Sequence, residues 1–242
     1  TIDDAKLAVC PNTGIVNLAS FIQSPSADVQ YTFYNEQGEK VDVTEVNTNV
    51  PNMTYSYKVT ATAKNACESD EAEFDVVVDG LIDFDLVTST TRVMVGGEET
   101  VATVVPSGVE ADSYIWELNG KTVEEQGTEY STRLYVDTKY VVTGISRCDK
   151  QTRETSIEVV WPTAFTPYNG NGKNDDFAKG LPIVVFNRFY TKIFEGNDGW
   201  DGTINGSMNE SESIAVPGVY YYSVLLPNGE VKKGTIEIIK ID

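Results

Sequence analysis

The 242-residue chain contains no histidine. Without an imidazole it cannot carry out Ser-His-Asp or Cys-His catalysis, bind zinc through histidine, or use histidine as a charge switch near neutral pH. This absence is the strongest argument against a hydrolase and predicts a protein that is not an enzyme. Catalysis by two carboxylates stays formally open, but acidic residues are scattered along the chain, so no pair stands out.

The chain also lacks long apolar runs and an excess of basic residues. No run approaches the roughly 18 apolar residues of a membrane-spanning helix, so the chain is not expected to span a membrane. Its 37 acidic and 18 basic residues give a formal net charge of −19. Nucleic acid is therefore not an expected partner, because phosphate binding requires a basic surface. The acidity fits a surface that promotes solubility or, alternatively, one that gathers divalent cations.

No export signal is recognised at the N-terminus. Thr1-Ile2-Asp3-Asp4 is polar and lacks a basic start. A chain from which such a signal had been removed would begin in the same way.

Helical periodicity is scarce, and alternating runs rich in aromatic and β-branched residues take its place. Examples are Tyr55 to Ala63, Tyr114 to Leu118 and Tyr140 to Ile145. The runs predict an all-β chain of two tandem immunoglobulin-like β-sandwiches followed by a small C-terminal β-sandwich domain. We place the domains at 1–79, 80–161 and 162–242, with the first two read as immunoglobulin-like or PKD-like modules.

The first two domains resemble two copies of one module. Most landmarks recur at an offset of 83 residues, as Tyr31 with Tyr114 and Tyr57 with Tyr140 do. A repeat near this length is typical of tandem immunoglobulin-like domains. We interpret the aromatic residues of these strands, among them Trp116, as core residues.

Only three cysteines are present. Cys10 and Cys67 lie near the first and late strands of the first module, which predicts a disulfide worth about 4 kcal/mol in the chain-entropy model and an oxidising compartment. Cys148 then has no partner in its own module. We interpret it as a lone thiol; the alternative is a reactive thiol, although no histidine is available to activate it.

The third domain contains a predicted hairpin and two shorter strands. Val219 to Leu226 and Val231 to Ile239 flank the turn Pro227-Asn228-Gly229, whose residues favour a tight reversal. Gly234 marks a position where a β-bulge is expected. Leu181 to Asn187 and Thr191 to Phe194 are the two shorter strands.

Several motifs of the third domain occur in a fixed order. They are Phe165-Thr166-Pro167, Asn169-Gly170-Asn171-Gly172-Lys173-Asn174-Asp175, Asn187-Arg188-Phe189, Trp200-Asp201-Gly202, Pro217-Gly218-Val219-Tyr220-Tyr221-Tyr222 and Lys233-Gly234-Thr235. This set resembles the gliding-motility-associated C-terminal domain of Bacteroidetes proteins, which is similar to the type B sorting modules read by the type IX secretion system. The resemblance covers one third of the chain.

The resemblance implies an export or attachment module and marks a set of motif residues. They are Asn169, Gly170, Asn171, Gly172, Asn174, Asp175, Asn187, Arg188, Trp200, Asp201, Gly202, Gly218 and Tyr220. Three positions depart from the family pattern: Asn171 replaces an Asp, Tyr190 replaces a Gly, and Tyr168 is an extra residue after the proline. The first departure weakens a cation site, and the second changes the turn after Arg188.

Two interpretations of the Asn/Gly/Asp loop stay open. In one it is a turn, in which Gly170 and Gly172 take unusual backbone angles while Asn174 and Asp175 cap backbone amides. In the other, Asn169, Asn171 and Asp175 help to bind Ca²⁺. No other cofactor is expected.

Trp200 and Arg188 also allow two interpretations. They could stack on a sugar and clamp a phosphate. Alternatively, Trp200 packs in the core and Arg188 pairs with a carboxylate or carbonyl such as that of Asp201.

These observations predict a non-enzymatic secreted or cell-surface protein. Two immunoglobulin-like modules would form a stalk or adhesive part, and the C-terminal domain would be recognised by secretion or cell-surface machinery. The expected location is extracellular or on the outer cell surface, after export through the periplasm. The alternative is a carbohydrate-binding surface protein that uses some of its 13 tyrosines as aromatic platforms for surface glycans; surface proteins are the other possible ligands.

Overall fold

The structure is a computed structural model that describes residues 1–3, 7–42, 46–65, 69–124, 127–168, 170, 172, 174–205 and 214–240. Within these residues there are 20 strands, one short 3-10 helix and no α-helix. The all-β prediction is confirmed. The chain divides into two compact units, one of Thr1–Asp85, Val105–Ile115 and Thr143–Arg153, the other of Leu86–Val104, Trp116–Val142 and Glu154–Asp242.

The first segment forms a five-stranded sheet that faces a two-stranded one. In chain order its strands are β1 (Ala8–Val9), β2 (Ile15–Val16), β3 (Val29–Asn35), β4 (Lys40–Val41), β5 (Val46–Asn47), β6 (Thr54–Ala63) and β7 (Ser69–Val78). The large sheet has the order β1-β7-β6-β3-β4, and β2 pairs with β5. β1 and β7 run parallel.

Aromatic side chains fill the core of this first sandwich. The ring of Phe74 lies 6.1 Å from Phe21, 6.4 Å from Phe33 and 5.8 Å from Tyr57, measured between centroids. Phe21 comes from the 3-10 helix Leu18–Phe21, which Asn17 caps by accepting a hydrogen bond from the Ala19 amide. Strand alternation and one short helix thus place apolar side chains on a shared inner face.

The middle segment repeats this arrangement. Its strands are β8 (Phe84–Thr88), β9 (Arg92–Met94), β10 (Thr100–Pro106), β11 (Ser113–Leu118), β12 (Lys121–Thr122), β13 (Glu129–Thr132), β14 (Thr138–Ile145) and β15 (Lys150–Val160). One sheet has the order β13-β10-β8, the other β12-β11-β14-β15-β9, with β9 parallel to β15. Trp116 is fully buried, and its Nε1 donates to the Gly127 carbonyl at 2.8 Å. Trp116 is therefore a core residue, as predicted.

The last segment contributes one regular sheet. Its strands are β16 (Ala164–Phe165), β17 (Ile183–Phe186), β18 (Lys192–Gly196), β19 (Gly218–Leu225) and β20 (Val231–Ile238), in the order β16-β20-β19-β17-β18. The layer that covers it is irregular in the part of the chain described, where two isolated bridges join Phe177 to Trp200 and Thr203 to Ile214.

The predicted hairpin and both shorter strands of the last segment are present. β19 pairs with β20 from Gly218↔Ile238 to Leu225↔Val231 without a register shift. The β-bulge expected at Gly234 is therefore wrong. A side chain there would meet the Tyr222 hydroxyl at 2.6 Å, so the glycine makes room for the tyrosine ring on the paired strand.

All three large sheets share one strand order. In each, the strand at one edge of the sheet (β1, β9 or β16) lies parallel to its neighbour, the last strand of the segment (β7, β15 or β20). The sequence predicted this repetition for the first two segments only. Each sheet takes its strands from one of the segments 1–79, 80–161 and 162–242. The domain boundaries stay a prediction, because the middle segment contributes to both compact units.

Candidate functional site

Trp200 is the centre of the core beneath the last sheet. It is fully buried, and its ring lies 5.2 Å from Phe165 and 5.2 Å from Tyr220 between centroids. Its Nε1 donates to the Thr203 carbonyl at 2.8 Å. A tryptophan without exposed surface offers no face to a sugar, so the packing interpretation of Trp200 is the one the geometry supports.

The two residues after Trp200 form the turn that fixes it. Asp201 Oδ1 accepts hydrogen bonds from the Thr203 amide at 3.0 Å and the Thr203 hydroxyl at 2.6 Å. Gly202 has φ +86°, and a side chain there would meet Pro167 at 2.8 Å. Asp201 and Gly202 therefore hold the turn, and their roles are architectural.

Tyr220 ties the start of the hairpin to the preceding loop. Its hydroxyl donates to the Val216 carbonyl at 2.7 Å. Burial, with a smaller contribution from nearby Tyr168, raises the pKa of Tyr220 above its ordinary value. Gly218 opens β19 and pairs with Ile238. This motif thus closes the sheet against its C-terminal strand.

Asn187 organises the turn between β17 and β18. Its Oδ1 accepts from the Phe189 amide at 2.9 Å and the Thr191 amide at 3.1 Å. Tyr190 follows with φ +60°, a left-handed backbone angle that is costly for a bulky residue. Tyr190 therefore adopts a backbone conformation that favours glycine.

The side chain of Tyr190 contacts a second aromatic ring. It stacks on Tyr221, with centroids 4.7 Å apart and an interplanar angle of 18°. A hydrogen bond with Tyr221 raises the pKa of Tyr190. Because Tyr190 is 70 % exposed, its ring is an aromatic surface open to solvent.

Arg188 and Phe189 form the exposed part of the motif set. The Arg188 guanidinium lies 4.8 Å from the centroid of the Phe189 ring, and Phe189 is 72 % exposed. Among the described residues no carboxylate forms an ion pair with Arg188. Asp201 instead accepts hydrogen bonds from the amide and hydroxyl of Thr203. The suggested pairing of Arg188 with Asp201 is wrong. Both residues border an apolar cavity of about 590 Å³ together with Val216 and Val219.

The described part of the Asn/Gly/Asp loop behaves as a turn. Gly170 and Gly172 have φ +55° and +75°, as predicted. Asp175 Oδ2 accepts from the Gly172 amide at 2.6 Å, and the Asn174 carbonyl accepts from the Thr166 amide at 2.8 Å. Of the calcium candidates, Asn169 and Asn171 lie outside the described residues. Calcium binding therefore stays a prediction.

The disulfide is not the predicted one. Cys10 is bonded to Cys148, 138 residues away, with 5.2 Å between their Cα atoms. The predicted Cys10–Cys67 bridge is therefore wrong, as is the interpretation of Cys148 as a lone thiol; Cys67 lies outside the described residues. Cys10 directly follows β1, and Cys148 lies in the turn between β14 and β15. The repeat suggested pairing within a module, but pairing depends on which sulfurs the tertiary structure brings together.

Charged residues surround this bridge. Arg147 Nε donates to Asp79 Oδ2 at 3.2 Å, and its Nη2 makes a second contact with the same oxygen. The Arg147 amide donates to Asp112 Oδ2 at 3.1 Å. Because half of the Arg147 side chain is exposed, we expect this ion pair to contribute no more than about 1 kcal/mol.

Asp79 also completes a group of potential metal ligands with the two cysteines. One carboxylate oxygen of Asp79 and the two sulfurs lie within 4.8 Å of one another. It is the one group of this kind in the described part of the chain. Because the sulfurs are joined in a disulfide, they offer no thiolate to a metal. We therefore treat the junction as a covalent cross-link.

Comparison with known proteins identifies no family. No family model and no curated protein matches the chain. Among solved structures, it is similar to murine CEACAM1b, with 11 % identity, a TM-score of 0.42, and coverage of 66 % of this chain and 99 % of that one. It is also similar to a titin fragment of domains I67–I69, with 12 % identity, a TM-score of 0.41, and coverage of 90 % of this chain and 89 % of that one. The third similar structure contains the four N-terminal immunoglobulin domains of Dscam1, with 11 % identity, a TM-score of 0.38, and coverage of 66 % of this chain and 45 % of that one.

The immunoglobulin-like assignment rests on the strand order of the chain itself. An edge strand parallel to the last strand of the segment, a buried tryptophan in β11 and a second, three-stranded sheet are typical of this fold. In the described residues no helix is long and apolar enough to cross a membrane.

The cross-link can be tested by peptide mapping. Proteolysis of the unreduced chain should release one peptide pair that joins Cys10 to Cys148, because these sulfurs are bonded in the fold. Mass spectrometry before and after reduction identifies the pair. The Cys67→Ser variant should give the same pair, whereas a Cys10–Cys67 peptide from the unsubstituted chain would contradict the assignment.

The division of the motif set into core and surface residues can be tested by two substitutions. Trp200→Ala should lower the free energy of unfolding by about 3–5 kcal/mol, because it removes a fully buried ring. Arg188→Ala should cost less than about 1 kcal/mol, because it removes only an exposed cation–π contact. Urea unfolding followed by near-ultraviolet circular dichroism measures both. Equal losses in the two variants would contradict this division.

Proposed function

We propose that the chain is a non-enzymatic secreted or cell-surface protein. Its first two modules act as a stalk or adhesive part, and residues 162–242 act as an export and attachment module recognised by secretion or cell-surface machinery. The observation that carries the proposal is the role of the motif residues in the last segment. Trp200, Asp201 and Tyr220 build a core and its turns, while Arg188 and Phe189 face outward.

This distribution suits a module that is recognised as a folded unit. A delivery module needs a stable body and a surface that a partner can read, and it does not need a cleft for chemistry. The buried residues supply the body. The surface consists of Arg188 and Phe189 with the neighbouring Val216 and Val219, which are 71 % and 52 % exposed. It therefore presents an apolar patch beside a positive charge.

Two further observations support a non-enzymatic role outside the cell. The absence of histidine removes the commonest acid–base residue. The disulfide fits an oxidising compartment, which is where such bonds persist. Acidic residues of the last segment also take part in local structure, as Asp198 does by accepting from the Gly180 amide at 2.9 Å.

Aromatic recognition of glycans is a second candidate function. Five of the 13 tyrosines are buried in the cores and offer no platform: Tyr57, Tyr114, Tyr140, Tyr220 and Tyr222. The stacked pair of Tyr190 and Tyr221 is the observation that favours this candidate, because it holds an aromatic face open to solvent.

The delivery role can be tested by removing and transplanting the last segment. In a bacterium with type IX secretion, the full chain and a chain lacking residues 162–242 are expressed behind the same export signal. We expect only the full chain to reach the cell surface or medium, as measured in cell fractions. Residues 162–242 joined to an unrelated periplasmic reporter should carry it outside. Unchanged delivery of the shortened chain would contradict the role.

Glycan binding can be tested on an array of surface oligosaccharides. The full chain should bind, and Tyr190→Ala should lose at least about fivefold in affinity, since stacking on one aromatic ring contributes at least about 1 kcal/mol. Tyr34→Ala, on the first sheet, is the matched control and should bind normally. An array without signal above background would end this candidate.

A further inference from the structure

We propose that the chain carries tension along a short covalent route that bypasses its first two modules. This inference rests on the proposed stalk role, in which the chain joins two attachment points. The disulfide between Cys10 and Cys148 is the feature that creates the route. Force applied at the two ends passes from residues 1–10 through the sulfurs directly to residue 148, and residues 11–147 stay outside the loaded path.

The part of the route that follows the disulfide is already extended. β15 begins at Lys150 and ends at Val160, and a β-strand rises about 3.3 Å per residue. This value is close to the maximum reach of a polypeptide. Pulling on this stretch therefore gains little length, and the modules enclosed by the bridge are not drawn open.

The last segment lies in series with this route. Tension enters it at the start of β16 and leaves it at the end of β20. These two strands are parallel, so the force pulls them past each other along their axes. The Glu237 amide donates to the Thr163 carbonyl at 2.9 Å, and the Ile239 amide donates to the Phe165 carbonyl at 3.0 Å. Because both hydrogen bonds are loaded at the same time, the strand pair resists more force than it would if the bonds broke one after another.

The first two modules contain the same kind of parallel strand pair, which carries no load while the bridge is closed. β1 pairs with β7 and β9 pairs with β15, in parallel. Once the bridge is open, tension passes through the first module from β1 to β7, and through the middle module along β8 to β9 and then to β15. Each module then resists by the same sliding contact, and the chain can lengthen in separate steps.

A small dithiol can open the bridge. Its thiolate attacks one sulfur of the pair and forms a mixed disulfide, while the other cysteine leaves as a thiolate. The second thiol of the reagent then displaces the protein sulfur, so the reagent is oxidised and both cysteines are reduced. The Asp79 carboxylate lies 3.1 Å from the Cys148 sulfur, which places a negative charge beside the site of attack.

The expected steps follow from the strand bounds. From Ala164 to Ile238 there are 74 residue intervals, which give a length of about 240–270 Å when extended. From Ala8 to Val78 there are 70 intervals, and from Arg92 to Val160 there are 68. Each of these modules gives about 220–250 Å when it unfolds.

Single-molecule stretching of the full chain between its ends tests the proposal. The oxidised chain should show one unfolding step of about 240–270 Å, from the last segment. In dithiothreitol the same chain should show three steps. The Cys10→Ser/Cys148→Ser variant should show three steps without reductant.

The Cys67→Ser variant is the matched control. It removes the third cysteine, keeps the bridge, and should show one step like the oxidised parent. Two steps in the oxidised parent would indicate a Cys10–Cys67 bridge that protects only the first module, and three would indicate no bridge; either result overturns the proposal. Surface delivery is measured separately, so loss of the delivery role would not alter the step count.

Discussion

The bond between Cys10 and Cys148 is the constraint on which the rest of the molecule depends. It closes a loop of 138 residues, which in the chain-entropy model stabilises the folded chain by about 5 kcal/mol. Sandwiches of this size bury a limited fraction of their surface and are marginal by themselves. One covalent bond between the end of β1 and the turn before β15 therefore supports the first two modules at once, and it also decides how tension can travel through the chain.

Repetition of one sheet is the second organising feature. The same order, with an edge strand parallel to the last strand of the segment, occurs in all three segments although their covering layers differ. In the first two segments the covering layer is a second sheet. In the last segment it is a set of turns built around Trp200. The Trp200 ring packs against Phe165, and its indole N–H donates a hydrogen bond to the Thr203 carbonyl. Motif residues that could suggest a binding site from their chemistry thus serve mainly to hold this irregular layer in place.

Much of the fold could be predicted from local patterns. Alternation identified the strands, the offset of 83 residues identified the repeated module, and Pro227-Asn228-Gly229 identified the hairpin turn. The errors concern contacts between residues far apart in the chain or across a sheet. The bulge was predicted at Gly234 because the sequence does not show that Tyr222 packs against this glycine. The pairing of Arg188 with Asp201 was predicted because the sequence does not show that Asp201 accepts a hydrogen bond from Thr203.

The amino-acid sequence alone determined the all-β class, the inner faces of the strands and the order of the motifs, because these depend on side-chain periodicity and on residues close in the chain. Only the tertiary structure decided the partner of Cys10, the exposure of Arg188 and Phe189, and the stacking of Tyr190 on Tyr221. The physical reason is that a disulfide or a ring contact requires two side chains to meet within a few ångströms. Such a meeting is set by how strands and turns pack together, and spacing along the chain does not encode it.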